Sequence, residues 1–146
     1  MVTTHITTTS RSVDLITAST AVEAARAALT EGENRGLAMS ISVFNALMIE
    51  VAYIHGDGAT PHSAETCRRK AQTAASTRRA TGWMNADLAI TLPMASGNLL
   101  TNVGGGFPIR FNGVFVGAIG VAGGTVEQDI EVSRAALRAI GADAIE

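Results

Sequence analysis

The sequence predicts one mixed α/β domain built on an antiparallel sheet. Each half of the chain contains a pair of apolar, β-branched segments joined by a short turn, the pattern of a β-hairpin. Segments with helical periodicity precede, separate and follow these pairs. Because hairpin strands run antiparallel, this order favours an antiparallel sheet over a doubly wound parallel one. The length of 146 residues is sufficient for a single core.

The first helix is predicted over Leu15–Arg35. Apolar residues such as Val22 and Leu29 recur there at spacings of three and four, which places them on one face of a helix. Thr20 and Glu23 have the spacing of a capping box. Gly36 is expected to end the helix, because glycine adopts positive φ without steric cost.

The first hairpin and the second helix follow. Strands are predicted at Met39–Phe44 and Ile49–Ile54, with the turn near Asn45 and Ala46. A loop rich in glycine and proline then leads to a helix from Ser63 to about Ala80, which contains the single lysine of the chain. Alanines along this helix would allow it to lie close to the sheet.

The second half is predicted to contain a short helix, up to three strands and a final helix. Asn112-Gly113 is typical of a type I′ hairpin turn. Gly123-Gly124-Thr125 is expected to begin the last helix. The predicted segments are Asn85–Leu92 (helix), Leu99–Val103 (strand), Phe107–Phe111 (strand) and Val114–Val121 (strand).

Composition limits the classes of partner. The chain is 47% hydrophobic but only 16% charged, so association with copies of itself is expected. A formal net charge of -2 argues against nucleic-acid binding, which depends on a strong positive field. No cationic leader with an apolar run and no apolar stretch of about 18 residues occurs. We therefore expect a cytoplasmic protein that does not bind membranes, with residues 1–14 as an arm and 15–146 as one domain.

Three segments resemble the GlcG/HbpS family, which is also known as haem-binding or haem-degrading proteins and is similar to the C-terminal domain of PduO. They are the run from Ser63 through Arg69-Lys70-Ala71 to Ala75, the run Gly104–Ile109, and the run Gly117–Asp129. The resemblance covers nearly the whole chain from about Leu15.

The resemblance implies a profilin-like three-layer domain, with a five-stranded antiparallel sheet flanked by helices and assembled into dimers or larger homo-oligomers. It also implies a small ligand, with haem or iron as possible cofactors. Many relatives have Asp and a Gly-Gly pair where this chain has Asn45-Ala46-Leu47-Met48, and many have Arg where this chain has His55. We expect subunits to meet at Leu47, Met48 and the arm.

Two residues are candidates for proton transfer. Lys70 is the only lysine beside ten arginines, and an amine in an apolar setting has a tunable pKa. A structural ion pair with Glu127 or Asp129 is the alternative for Lys70. His55 ends a strand near Asp57, so that a carboxylate could orient its imidazole, although a solvated loop histidine is the simpler interpretation.

Ligand contacts are predicted at a wider set of residues. The triple glycine before a strand allows close backbone approach and could present amides to an anion. Cys67 is expected to be a small buried apolar residue. No HxxxH or HxH pair is present, so metal ligands cannot be assigned. The predicted ligand-binding residues are Asp57, Thr73, Gly104, Gly105, Gly106, Glu127 and Asp129.

Three functions remain open at this point. The first is a binding protein that holds haem, iron or another planar cofactor in a groove between subunits. The second is a cofactor-independent catabolic enzyme, an isomerase, lyase or hydrolase, acting on a small acidic or aromatic intermediate with Lys70 and His55 moving protons. The third is a structural accessory subunit. Because no complete catalytic constellation is visible, the binding protein is favoured.

Overall fold

The computed structural model describes residues 9–145, so the predicted arm lies largely outside the described residues. The mixed α/β class is confirmed. In chain order the helices and strands are α1 (Ala18–Asn34), β1 (Ser40–Asn45), β2 (Glu50–His55), α2 (Ser63–Thr77), α3 (Ala86–Ala95), β3 (Gly106–Phe111), β4 (Val114–Ala122) and α4 (Val126–Ala139).

The strands form one antiparallel sheet in the order β2-β1-β4-β3. Helix α2 packs on one face of this sheet, and α1 and α4 pack together on the other. The main core lies between the sheet and the α1–α4 pair. Among residues 9–145 the sheet has four strands, so the prediction of five is corrected.

The segment Leu99–Val103 was predicted as a strand but is irregular. Its backbone bonds to side chains instead of to a neighbouring strand, since the Thr101 N–H donates to Thr73 Oγ1 at 2.8 Å. Leu100 is buried, whereas Leu99 and Val103 are exposed. β-Branched composition predicts extended backbone, but a strand also requires a partner edge. The adjacent edge strand β3 contains Pro108, which has no N–H to donate.

Helix boundaries follow local capping chemistry. α1 begins one turn earlier than the Thr20–Glu23 spacing predicted, because the Thr17 side chain caps it by accepting from the Thr20 N–H. Gly36 ends this helix as predicted, with a φ of 73°. α4 begins with a complete capping box between Thr125 and Gln128.

Strand β1 divides its side chains between the two faces of the sheet. Ile41 and Val43 enter the main core. Ser40 and Ser42 point to the side of α2, where Ser40 Oγ contacts Ser63 and Ser42 Oγ donates to Glu50. The face beneath α2 is therefore partly polar although it is fully buried at both serines.

Candidate functional site

Lys70 and Asp129 form a buried ion pair between α2 and α4. Lys70 Nζ lies 2.7 Å from Asp129 Oδ2 and donates a second hydrogen bond to the carbonyl oxygen of Val121 at 2.8 Å. The side chains are 1% and 4% exposed. Of the two structural partners predicted for Lys70, the partner is Asp129. Glu127 is exposed.

Glycines in the sheet bring α2 close enough for this pair to form. A Cβ atom on Gly120 would lie 2.1 Å from the carbonyl oxygen of Cys67, and one on Gly106 would lie 2.3 Å from that of Lys70. The helix therefore rests directly on the backbone of β3 and β4. A Cβ on Gly105 would lie 3.0 Å from Lys70 Nζ, so this glycine leaves room for the ammonium group.

Burial acts on both charges of the pair. Loss of solvent lowers the pKa of Lys70 from its ordinary value, although the Asp129 carboxylate opposes the change. Burial likewise raises the pKa of Asp129 against the effect of Lys70 and of the Gly124 N–H, which donates to Asp129 Oδ1 at 2.9 Å. The two groups are thereby brought closer to exchanging a proton than in water, which is a property of acid–base sites.

A pocket of about 270 Å³ opens beside this pair. One wall is the start of α2, with hydroxyl groups and an imidazole, and the other is the β4–α4 loop and the start of α4. Val103 and Val126, both exposed, lie at its edge. Its lining residues are Thr60, His62, Ser63, Thr66, Lys70, Val103, Ala122, Gly123, Gly124, Val126 and Asp129.

A chain of hydrogen bonds links His55 to the pocket wall. Ser63 donates to the Thr60 carbonyl at 2.6 Å, Ser40 and Ser63 hydroxyls lie 2.8 Å apart, and Ser40 Oγ is 2.7 Å from His55 Nδ1. Every donor in this chain of bonds has an acceptor if His55 Nδ1 donates to Ser40 and the Ser40 hydroxyl donates to Ser63. In that tautomer, Nε2 of the exposed His55 ring is left as the acceptor.

The other predicted ligand residues occupy different surroundings. Asp57 is exposed in the loop after β2. Thr73 is fully buried, and its hydroxyl both donates to the Arg69 carbonyl and accepts from the Thr101 N–H. Gly104 packs against Val126 and Ile130 at the start of α4. A direct contact between ligand and any of these residues remains a prediction.

One amide of the predicted anion cradle already has a partner within the protein. The Gly106 N–H already donates to Thr81 Oγ1 at 2.9 Å, and the Gly105 carbonyl accepts from Ser133 Oγ at 2.8 Å. All three glycines of the triplet are buried. Gly105 and Gly106, the two glycines nearest Lys70, leave room for the close approach of α2. The sequence pattern alone does not distinguish this steric role from ligand binding.

The sequence analysis included neither Ser40 nor His62 in this site. A signal for Ser40 is present, since Ser40 and Ser42 alternate with Met39, Ile41 and Val43 in an otherwise apolar strand. Two polar residues at that period indicate a polar face of a buried sheet. No comparable signal marks His62. It precedes α2 and lines the pocket only because the start of α4 lies on the other side.

Cys67 is buried on the sheet side of α2, as predicted, and burial raises the pKa of its thiol to about 12. We expect Ellman's reagent at pH 8 to modify the native protein roughly a thousandfold more slowly than the urea-unfolded chain, since only the thiolate reacts. As the chain has one cysteine, the absorbance at 412 nm reports this site alone. Equal rates in the two states would contradict a close contact between α2 and the sheet.

Comparison of the sequence with protein families identifies the family of this chain. The family described as "Haem degrading protein HbpS-like" matches residues 16–138, which contain every helix and strand except the last residue of α4. The chain belongs to the HbpS-like family. The resemblance predicted from the segments around Lys70, the triple glycine and Asp129 is therefore confirmed.

Solved structures share the fold over most of their length. ORFY from Klebsiella pneumoniae is 26% identical, with a TM-score of 0.84 over 97% of this chain and 100% of that one. A double mutant of HbpS from Streptomyces reticuli is 28% identical, with a TM-score of 0.79 over 94% and 95%. The PduOC complex with haem, 23% identical over 90% and 99%, has a TM-score of 0.82 and shows the fold alone.

A curated relative matches only a short stretch. An uncharacterized 15.0 kDa protein of Citrobacter freundii is 56% identical over 34 residues, which are 23% of this chain and about a quarter of that protein. Within residues 9–145, no three His, Cys, Asp or Glu side chains are grouped as metal ligands would be. In the same part of the chain, none of the helices has the length and apolar character that crossing a bilayer requires.

Proposed function

We propose that this protein binds haem in a groove between copies of its own chain. The observation that carries the proposal is helix α3. Within the described part of the chain none of its residues is buried, and Ile90 and Met94 are 65% and 73% exposed. Leu99 and Val103, which follow α3 in the chain, are exposed as well, and Val103 lines the pocket. A surface of this kind is typical of contacts with a second subunit or a planar apolar ligand.

The size of the pocket supports a site between copies. Its volume of about 270 Å³ is below the roughly 300–1,000 Å³ that sites for drug-sized ligands occupy. Haem is larger than most such ligands, so one chain cannot enclose it here. A second copy that packs against α3 would supply the missing wall. The family description and the haem complex of PduOC support the choice of ligand.

The residues at the pocket edge fit a haem group. Val103 and Val126 offer an apolar surface for the macrocycle, and His62, the residue before α2, adds an imidazole to the lining. When bound, haem would supply an iron that the porphyrin already holds, and His62 is the residue that would bind it.

Adding haem to the purified protein is expected to shift and sharpen the Soret band, with saturation at a fixed ratio to the chain. His62→Ala should weaken binding by about tenfold or more, since it removes the imidazole that is proposed to hold the haem. His55→Ala is the matched control and should bind as the parent does, because His55 does not line the pocket. No spectral change with the parent protein would contradict the proposal.

Acidic substitutions on the exposed face of α3 test the proposed groove. Ile90→Asp combined with Met94→Asp should dissociate the assembly, as measured by light scattering, and should weaken haem binding in parallel. Val22→Asp on α1 is the control, because Val22 is also exposed but belongs to a helix that contributes no residue to the pocket lining. An assembly that survives the α3 substitutions, or a parent protein that is monomeric, would exclude this groove.

A cofactor-independent enzyme is the second candidate. The observation that favours it is the buried Lys70–Asp129 pair in a pocket wall, with burial pushing both groups towards their neutral forms. His55 would act through Ser40 and Ser63. Turnover of a small acid that is lost in Lys70→Ala or His55→Ala would support this function, and turnover unchanged in both would exclude it.

A further inference from the structure

The two edges of the sheet differ in whether their outward backbone groups have partners. On the β3 edge, the Gly106 carbonyl accepts from the Thr81 N–H at 2.9 Å, and the Gly106 N–H donates to the Thr81 hydroxyl. Pro108 has no N–H, and the Arg110 carbonyl accepts from the Asp143 N–H at 2.8 Å. The β3 edge is therefore closed to a further strand.

Strand β2 forms the opposite edge, and its outward groups have no such partners. Hydrogen-bonded and non-bonded pairs alternate along an antiparallel ladder. Because the Gly56 N–H donates to the Met39 carbonyl at 2.8 Å, the N–H and carbonyl groups of His55 and Tyr53 point away from β1. Within residues 9–145 these groups have no hydrogen-bond partner. Such an edge is a template for pairing with another strand.

The helices leave the β2 edge open. Helix α2 packs on β1, β3 and β4, whereas α1 packs beneath β2 on the other face of the sheet. On the α2 side, the Tyr53 ring is covered by the guanidinium group of Arg68, which lies 4.1 Å from the ring centroid. Arg68 is in turn paired with Glu50 at 2.8 Å, so its charge is compensated at this edge.

We propose that β2 pairs with β2 of a second copy of this chain, antiparallel and about a two-fold axis at Ile54. The two four-stranded sheets would then join in one continuous sheet. In this register the N–H and carbonyl of Tyr53 in one copy meet those of His55 in the other copy, and the same pair repeats across the axis. Every outward group of these two residues is then used.

The side chains of β2 are complementary to themselves in this register. Ile54 packs against the main core on the α1 side, and across the axis it would face Ile54 of the other copy. On the α2 side, the ring of Tyr53 would lie opposite the imidazole of His55. The charged Glu50 would lie opposite Gly58, so no like charges meet. A two-fold contact requires such a match of a surface with itself, which favours a second copy over an unrelated strand.

The second copy would also contribute a residue beside the pocket. His55 Nδ1 lies 2.7 Å from Ser40 Oγ, which contacts Ser63 in the pocket wall. Tyr53 of the other copy would lie next to this chain of hydrogen bonds. The β2 contact contains no residue of α3, so it is separate from the groove proposed for haem.

A cysteine on the axis tests the register. Copies of residue 54 would lie about 4.5 Å apart between Cα atoms, within the range of roughly 4.4–6.8 Å that a disulfide spans. Ile54→Cys should therefore form a disulfide-linked dimer on mild oxidation, as seen on a non-reducing gel. Ala52→Cys is the matched control, because its copies would lie about 14 Å apart and should not cross-link. The native Cys67 is buried, so the parent should not cross-link either. Absence of the Ile54→Cys dimer, or equal cross-linking by Ala52→Cys, would overturn the pairing.

The backbone contact is tested with proline. Tyr53→Pro removes an N–H that points away from β1, a place where an edge strand accepts proline. By sedimentation, the mass of the assembly should fall by half. Tyr53→Thr also lacks the ring but keeps the N–H and suits a strand, so it should stay associated. Circular dichroism would check that both variants are folded. Equal masses for the two variants would overturn the role of the backbone.

The β2 contact and the α3 groove are distinguished by combining their variants. Ile54→Cys should cross-link equally well with Ile90→Asp and Met94→Asp present, because those substitutions dissociate only the contacts made by α3. Loss of the cross-link in that background would assign it to α3 and overturn the β2 contact. If haem binding fails but the cross-link forms, the groove is excluded and the β2 contact stands.

Discussion

Lys70→Met is expected to lower the free energy of unfolding by about 3–5 kcal/mol, because it leaves the Asp129 carboxylate buried without its cation. The melting temperature should fall by roughly 10 °C for a chain of this size. Thermal and urea unfolding followed by circular dichroism would measure both quantities. A loss below about 1 kcal/mol would show that the ion pair has little weight in the fold.

Two controls separate the buried pair from ordinary charge effects. Lys70→Met with Asp129→Leu should recover most of the lost stability, since two apolar residues of similar volume often replace a buried pair at little cost. Glu131, which like Asp129 is on α4, forms an ion pair with Arg35 at the end of α1, and the two side chains are 59% and 35% exposed. Glu131→Gln removes this pair. That variant should cost less than about 1 kcal/mol, because solvent screens exposed charges.

Gly120→Ala is expected to destabilise the protein by about 3 kcal/mol and to displace α2. The new Cβ would lie 2.1 Å from the Cys67 carbonyl oxygen and 2.5 Å from the Ala71 backbone nitrogen, so neither neighbour can move without moving the helix. Urea unfolding would measure the stability. The rate at which Ellman's reagent modifies Cys67 should rise, because the helix that covers this thiol is displaced.

Gly141→Ala is the control for the effect of adding a methyl group to a glycine. Gly141 has a φ of 73° and open space around its Cβ position, so alanine meets only the conformational cost of about 1–2 kcal/mol. Its Cys67 reactivity should equal that of the parent. If Gly120→Ala behaves like Gly141→Ala in both measurements, the close contact between α2 and the sheet is not what positions Lys70.

Local signals in the sequence were reliable for the elements that they specify completely. Gly36 ends α1 at positive φ, and Asn112 and Gly113 both adopt the positive φ that a type I′ turn requires. The prediction of a strand at Leu99–Val103 is wrong, because apolar and β-branched residues specify an extended backbone but not a neighbouring strand. There the threonine hydroxyl of α2 provides the hydrogen bond that a strand would have provided.

The sequence by itself determined the α/β class and the family and singled out Lys70 as a candidate, because periodicity, caps and motifs are recorded in neighbouring residues. Tertiary structure decided that Lys70 pairs with Asp129, 59 positions away, and that His55 reaches the pocket through Ser40 and Ser63. It also decided that Gly106 and Gly120 serve the close approach of α2. These contacts join separate elements, and their distances depend on how tightly the helix packs on the sheet, which no local pattern encodes.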